Sequence, residues 1–220
     1  MERGNTDLGR DSDTGRTCAL ADGPKIIRGL FPDDVHNAIC SFLDERVPLL
    51  SLGVPLNKDD DQFVRRYANN VPFFVGIHKQ LAEFASDLFG EKVKPSYSFL
   101  SMYEDNGTCP LHIDRPQCRY TIDYLIRQTQ AEPWPIHIGD HMTDEQRQAI
   151  DEVGEGHPED DDAIQARIAQ ENWHTALLNP NDAVCYSGTH SWHYRSERLR
   201  GTADLIFFHF VPDGFDGSLN

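Results

Sequence analysis

Residues 95–126 read PSYSFLSMYEDNGTCPLHIDRPQCRYTIDYLI, and this stretch decides how the rest of the chain is interpreted. In its first part Tyr97, Phe99, Ser101 and Tyr103 alternate with Ser98, Leu100 and Met102, the period-two, aromatic-rich pattern of a strand. Its last part, 119–126, is a second strand candidate. Between them stand His112 and Asp114. Two residues apart on an extended chain, their side chains project to the same side, so one imidazole and one carboxylate can meet one ion.

Downstream, further strands are predicted at 134–138, 173–178, 183–186, 191–195 and 203–211, separated by turn signals such as Asn179-Pro180-Asn181-Asp182. Many short strands predict a mainly β chain, a sandwich or barrel. Upstream, Val35, Ile39, Phe42 and Leu43 fall at helical spacing behind the acidic pair Asp33-Asp34, which suits a helix start. A second helix is predicted over 73–89, with Phe74, Ile77, Leu81, Phe84 and Leu88 as its buried stripe and Gly90 as its stop. Residues 1–22 carry almost no large apolar side chain and are expected to form a flexible tail, leaving 23–220 as one domain. An acidic segment at 140–171 breaks the run of strands. Thr143 and Gln146 there have capping-box spacing, and Ile164 and Ile168 have helical spacing. This helical insertion is either a solvated decoration or a lid or partner surface over the barrel mouth.

The 220 residues include 20 basic and 36 acidic side chains, for a formal charge of -16. Such a field repels nucleic acid and anionic membrane surfaces, so neither is expected as a partner. Five cysteines without CxxC spacing fit neither a disulfide framework nor a zinc knuckle, and suit a reducing cytoplasm. No apolar run approaches the roughly 20 residues of a membrane span.

A His and an Asp two apart are common by chance. What gives the pair meaning is a second segment, Asn179-Pro-Asn-Asp182-Ala-Val-Cys-Tyr186-Ser-Gly188-Thr-His190-Ser-Trp-His193-Tyr-Arg195, which supplies a turn, an apolar strand, a glycine and then histidines with arginine close by. Two His and one carboxylate on one face of an octahedron leave open positions on Fe(II). Together the two segments resemble the Fe(II)- and 2-oxoglutarate-dependent dioxygenases, in particular the prolyl-hydroxylase-like branch. There, a strand ending in Tyr leads to HxD, and a PxDAxxYxG turn and strand leads to the distal His. The resemblance covers roughly residues 95–211.

It implies a double-stranded β-helix (jelly-roll, cupin-like) core with flanking helices, Fe(II) as metal, and 2-oxoglutarate and O2 as co-substrates. His112, Asp114 and His193 are then the metal ligands, with His190 as the rival distal ligand. The co-substrate's distal carboxylate needs a cation, and a guanidinium can grip it with two hydrogen bonds. The family's usual basic position after the distal His would fall at Thr202, Ala203 or Asp204, none of them basic. Arg195, two residues beyond His193 and on its face, is the first candidate, and Arg200 the second. Tyr103 matches the tyrosine whose hydroxyl helps hold the co-substrate. Arg115, Arg119, Trp192 and His190 are candidates for substrate contact, while His137, His174 and His209 are expected to be structural. Asp114 favours hydroxylation, because related halogenases carry a small residue there. The expected substrate is a small polar or anionic molecule, an amino acid or natural-product intermediate, with Arg115 and Arg119 as contacts for an anionic group; a peptide or protein residue is the alternative. A cupin-like metal-binding or sensing module without catalysis would keep the ligands but need no co-substrate cation. A zinc hydrolase finds no HExxH-type helix in the sequence.

Overall fold

The computed structural model describes residues 20, 22–44, 54–61, 63–153, 156, 158 and 160–219. The expected tail at 1–22 falls outside them except for Leu20 and Asp22, and Leu20 is buried in the core, its carbonyl accepting from Gly23 N at 2.9 Å.

Eleven strands form two sheets. Strands β1 (Lys25–Ile27), β2 (Asn57–Asp59), β3 (Arg65–Asn69), β4 (Val93–Tyr103), β6 (Tyr120–Gln128), β9 (Ala183–Tyr186) and β11 (Ala203–Pro212) make the larger one, ordered β1-β9-β6-β11-β4-β3-β2. Strands β5 (Cys109–His112), β10 (His193–Arg195), β7 (Ile136–Gly139) and β8 (Trp173–Ala176) make the smaller one in that order. From β4 onward the chain passes repeatedly between the sheets, and every pairing is antiparallel. That is the double-stranded β-helix, which closes two short sheets over a common interior.

Strand alternation sorts the side chains into three layers. Leu125, Val184, Tyr186 and Leu205 of the large sheet meet Ile136, Ile138 and Ala176 of the small one. Ile122, Tyr124, Ile126, Ile206, Phe208 and Phe210 point the other way, onto the helices. Both faces of β6 and β11 are thus covered. Helix α1 (Asp33–Asp44) forms where its apolar spacing places it. The single helix expected at 73–89 is two, α2 (Pro72–Gln80) and α3 (Ala82–Phe89), broken at Leu81. The buried face is Phe74, His78, Leu81, Ala85 and Phe89, whereas Phe84 is exposed. Choosing only large apolar residues rotated the expected stripe away from His78 and Ala85. Gly90 ends α3 in the left-handed region (φ 75°), its N–H donating to Ser86 O.

The 140–171 insertion holds α4 (Asp144–Val153) and α5 (Asp161–Gln170). Thr143 and Gln146 form the full capping box, with Thr143 N donating to Gln146 Oε1 (2.8 Å) and Gln146 N to Thr143 Oγ1 (3.3 Å). Met142 and Ile150, with Ile164 and Ile168, pack on Leu111, Ile113 and Trp192. These neighbours flank His112 and His193 in sequence and so point outward. The insertion backs the small sheet, and none of its described residues lines the cavity between the sheets. Among the described residues, no helix is long and apolar enough to cross a membrane.

Candidate metal centre and cavity

The sheets enclose a cavity of about 420 Å³, lined on the small-sheet side by Cys109, His112, Ile136, His193 and Arg195. The large sheet contributes Arg65, Tyr67, Asn69, Tyr97, Phe99, Tyr103, Asp123, Tyr186, Phe207 and His209, and the loop after β5 adds Asp114 and Arg115.

His112 and His193 are cross-strand partners in the β5–β10 ladder. This register brings together residues 81 positions apart in the chain (193 − 112), with ring centroids 4.2 Å apart. Asp114 Oδ1 lies 3.6 Å from His112 Nε2 and 3.8 Å from His193 Nε2. One donor atom from each residue falls within 4.8 Å of the others, a spacing that could hold one ion. His112 Nδ1–H donates to Pro110 O (2.8 Å) and His193 Nδ1–H to Ser191 O (3.0 Å). Each bond fixes Nδ1 as the donor and turns Nε2 toward Asp114, the orientation in which a metal could replace a proton on Nε2. The donor set therefore fits a divalent cation.

The two histidines differ in their electrostatics. Burial, aided by the neighbouring His112, pushes His193 down to about 4, so it is neutral at pH 7. Burial would raise Asp114, but the neighbouring histidines and a hydrogen bond to His112 hold it well below the usual carboxylate range. Burial would lower His112, but Cys109 and that same hydrogen bond raise it well above the ordinary imidazole range, so a bound cation would displace the His112 proton. Gly188 makes room for this carboxylate: a Cβ there would collide with Asp114 Oδ2 and stand 2.7 Å from Cys118 O. The turn leading to it is pinned by Asp182, which accepts from Asn179 N (2.9 Å) and Arg28 Nη1 (2.6 Å).

Of the other residues proposed from the sequence, Arg195, Tyr103 and Arg115 line the cavity. Arg195 is buried and its Nη2 donates to Asp123 Oδ2 at 2.9 Å, while Nη1 donates to Trp134 O at 2.7 Å. Arg200 sits exposed in the loop between β10 and β11, its backbone N donating to Gln130 Oε1. It does not reach the cavity, because the chain turns outward after Arg195. His190 also lies outside, held by Thr189 Oγ1 (2.7 Å) and Asp144 Oδ1 (2.9 Å) and touching Arg119, which is 3.8 Å from the same Asp144 oxygen. Trp192 belongs to the layer under the insertion.

Several cavity residues escape the sequence. Arg65 Nη1 donates to Tyr103 Oη at 3.1 Å, and its buried Nε has no partner among the described residues. Asp123 is wholly buried, with Oδ1 likewise unpartnered. His209, expected to be structural, faces the cavity: its Nδ1 shares a hydrogen bond with Thr121 Oγ1 (3.0 Å), and it forms a second group of close donor atoms with Asp114 and Cys118. His137 and His174 bond to Thr175 and Asp140 away from the cavity.

No family model matches the sequence, and no curated protein matches it. Solved structures do match. The non-heme alpha ketoglutarate dependent carbocyclase SnoK from nogalamycin biosynthesis is 13% identical over 90% of this chain and 87% of its own, with a TM-score of 0.65. EctD from S. alaskensis, solved with 2-oxoglutarate and 5-hydroxyectoine, is 13% identical over 88% of this chain and 74% of its own, with a TM-score of 0.61. A prolyl-4-hydroxylase from Pseudomonas putida is 11% identical over 89% of this chain and 96% of its own, with a TM-score of 0.52. The chain shares with these proteins the double-stranded β-helix fold, built of two sheets around a central cavity.

Proposed function

We propose that this protein is an Fe(II)- and 2-oxoglutarate-dependent dioxygenase, a hydroxylase of a small molecule. The observation that carries the proposal is the convergence of His112 Nε2, Asp114 Oδ1 and His193 Nε2 inside the cavity, with both Nδ1 atoms spent on backbone carbonyls. When bound, Fe(II) and 2-oxoglutarate supply the oxidising chemistry, with O2 consumed, the 2-oxo acid decarboxylated to succinate, and one oxygen atom delivered to the substrate.

The chain's own residues position and shield. His112, Asp114 and His193 would hold the metal and leave its remaining positions to the co-substrate and O2. The distal carboxylate of the co-substrate needs a donor-rich, positively charged end to the cavity. Arg65, with Tyr103 at 3.1 Å, offers it. Arg195 lines the cavity from the small sheet, but its charge is offset by Asp123. Arg65 is therefore assigned the carboxylate, with Tyr103 beside it and Arg195 as a neutralised polar wall.

A small substrate is supported by the cavity volume of about 420 Å³ and by the neighbours. SnoK and EctD match with higher TM-scores than the prolyl-4-hydroxylase, and EctD was solved with 5-hydroxyectoine, a small molecule.

The test is anaerobic reconstitution with Fe(II), followed by 2-oxoglutarate, watching for the weak visible charge-transfer band of the chelate and, on admission of air with candidate substrates, for succinate. A protein that binds Fe(II) stoichiometrically but gives no band with 2-oxoglutarate refutes the proposal and leaves a metal-binding module.

A further inference from the structure

In a chain with 36 acidic side chains, arginines find carboxylates easily, and even the buried Arg195 is paired with Asp123. Two arginines on the cavity wall, Arg65 and Arg115, make no ion pair among the described residues. They stand on opposite flanks of the metal ligands. On the His112 flank, Arg65 bonds Tyr103, and Cys109 Sγ lies 4.0 Å from His112 Nδ1. On the Asp114 flank, Arg115 follows Asp114 directly, and its Nε donates to Tyr97 Oη at 3.3 Å. Tyr97 Oη is in turn 3.0 Å from Cys118 Sγ, and Cys118, His209 and Asp114 offer donor atoms within 4.8 Å of one another. Two separate cations therefore address one cavity from two sides. A single 2-oxo acid, with one carboxylate at the metal, has only one carboxylate left to satisfy them.

The Asp114 flank also has ring faces. Tyr97 and His209 lie with centroids 4.6 Å apart, the Arg115 guanidinium sits 4.5 Å over the Tyr97 ring, and Phe99 and Phe207 continue the wall. Arg115 is exposed enough to stay solvated and charged until a ligand arrives, so keeping it unpaired costs little. A guanidinium next to flat rings is suited to a carboxylate joined to an unsaturated body, because the ion pair and the stacking surface then act on one molecule.

We infer that the Asp114 flank is the substrate subsite and that it takes a small unsaturated carboxylic acid, its carboxylate on Arg115 and its body against Tyr97 and His209. The inference rests on the oxygenase proposal, which gives the Arg65 flank to the 2-oxo acid. It narrows the sequence expectation of a small polar or anionic substrate to an unsaturated carboxylic acid held by Arg115, and it excludes Arg119, which is engaged with Asp144 and His190 outside the cavity.

The test uses the full chain with Fe(II) and 2-oxoglutarate in the absence of air. Cinnamate and phenylacetate serve as probes, their amides as neutral counterparts and phenyl phosphate as the phosphoryl counterpart. Binding is followed both by perturbation of the chelate band and by equilibrium dialysis. The acids are expected to bind at least about ten-fold more tightly than the amides, and Arg115→Gln is expected to abolish that preference while the 2-oxoglutarate affinity stays within about two-fold. Acids and amides held alike, or neither held at all, overturn the inference, as does an Arg115→Gln protein that still prefers the acids. Phenyl phosphate held more tightly than the acids overturns the carboxylate assignment in favour of a phosphoryl group. If no chelate band forms yet dialysis still shows an Arg115-dependent preference for acids, the oxygenase proposal falls and the anion subsite stands.

Discussion

The backbone of Gly188 and the carboxylate of Asp114 fit against each other so closely that a side chain at position 188 must displace its surroundings. Asp114 N donates to Gly188 O at 2.9 Å, and a Cβ on Gly188 would overlap Asp114 Oδ2 and approach the backbone oxygen of Cys118 to 2.7 Å. Because one of the two obstacles is backbone, side-chain rotation alone cannot relieve the clash, and the carboxylate must move. Gly188→Ala is expected to lower Fe(II) affinity by about 10–100-fold, the range seen when a metal ligand's support is disturbed, and to cost about 1–3 kcal/mol of stability from overpacking. Metal titration alongside urea unfolding checks both. Wild-type metal affinity in a folded Gly188→Ala protein would show that Asp114 does not need this position.

The distal ligand is open to a direct comparison. His193 Nε2 faces Asp114 across the cavity, whereas His190 is turned away into contacts with Thr189 and Asp144. His193→Ala is expected to remove the 2-oxoglutarate charge-transfer band, and His190→Ala to leave it. The opposite pattern would transfer the ligand to His190 and require the loop before β10 to rearrange.

The fold and the metal site differ in how far they could be read before folding. His112 and Asp114 announce themselves because strand geometry alone puts residues two apart on one side. The β6, β9 and β11 strands were visible for the same reason, since alternating or continuous apolar runs survive in one dimension. Arg65 was not visible. Its strand, Arg-Arg-Tyr-Ala-Asn, is polar and short, and it becomes a strand only because β4 offers an edge to pair with. His78 was passed over because its imidazole counts as polar, although the fold buries it between Phe208 and Phe210. The insertion's helices were legible from the Thr143–Gln146 cap, but their place behind the small sheet depends on Leu111, Ile113 and Trp192, contacts that no local pattern reveals.

The cavity arginines are expected to separate by what they do. Arg65→Gln should weaken 2-oxoglutarate binding by about 10–100-fold, the worth of a charged hydrogen bond of roughly 1.5–3 kcal/mol, with Fe(II) affinity unchanged. Arg200→Gln should change neither. Arg195→Leu strips the buried Asp123 of its counter-charge, and burial already raises that carboxylate's pKa. It should therefore destabilise the fold by about 3–5 kcal/mol, with much of the loss recovered in Arg195→Leu/Asp123→Leu. If Arg195→Leu instead leaves stability intact and abolishes co-substrate binding, the roles of Arg65 and Arg195 must be exchanged.

A buried histidine packed between Phe208 and Phe210 gives the stability a defined pH dependence. Burial, with the charge of His209 adding to it, pushes His78 down to about 3, and its Nε2 has no partner among the described residues. The folded protein therefore keeps His78 neutral between pH 6.5 and 3, whereas the unfolded chain takes up a proton below about 6.5. In that window the unfolded state binds more protons, so stability falls as pH falls, by up to about 1.4 kcal/mol per pH unit from this group. Carboxylates titrate over the same range, so the contribution must be isolated by difference. Urea unfolding of wild type and His78→Leu at pH 7 and pH 5 should show a smaller acid loss in the variant, because leucine fills the site without a proton to gain. Equal losses in the two proteins would mean that His78 is protonated without penalty in the native state, and that the space between Phe208 and Phe210 admits water.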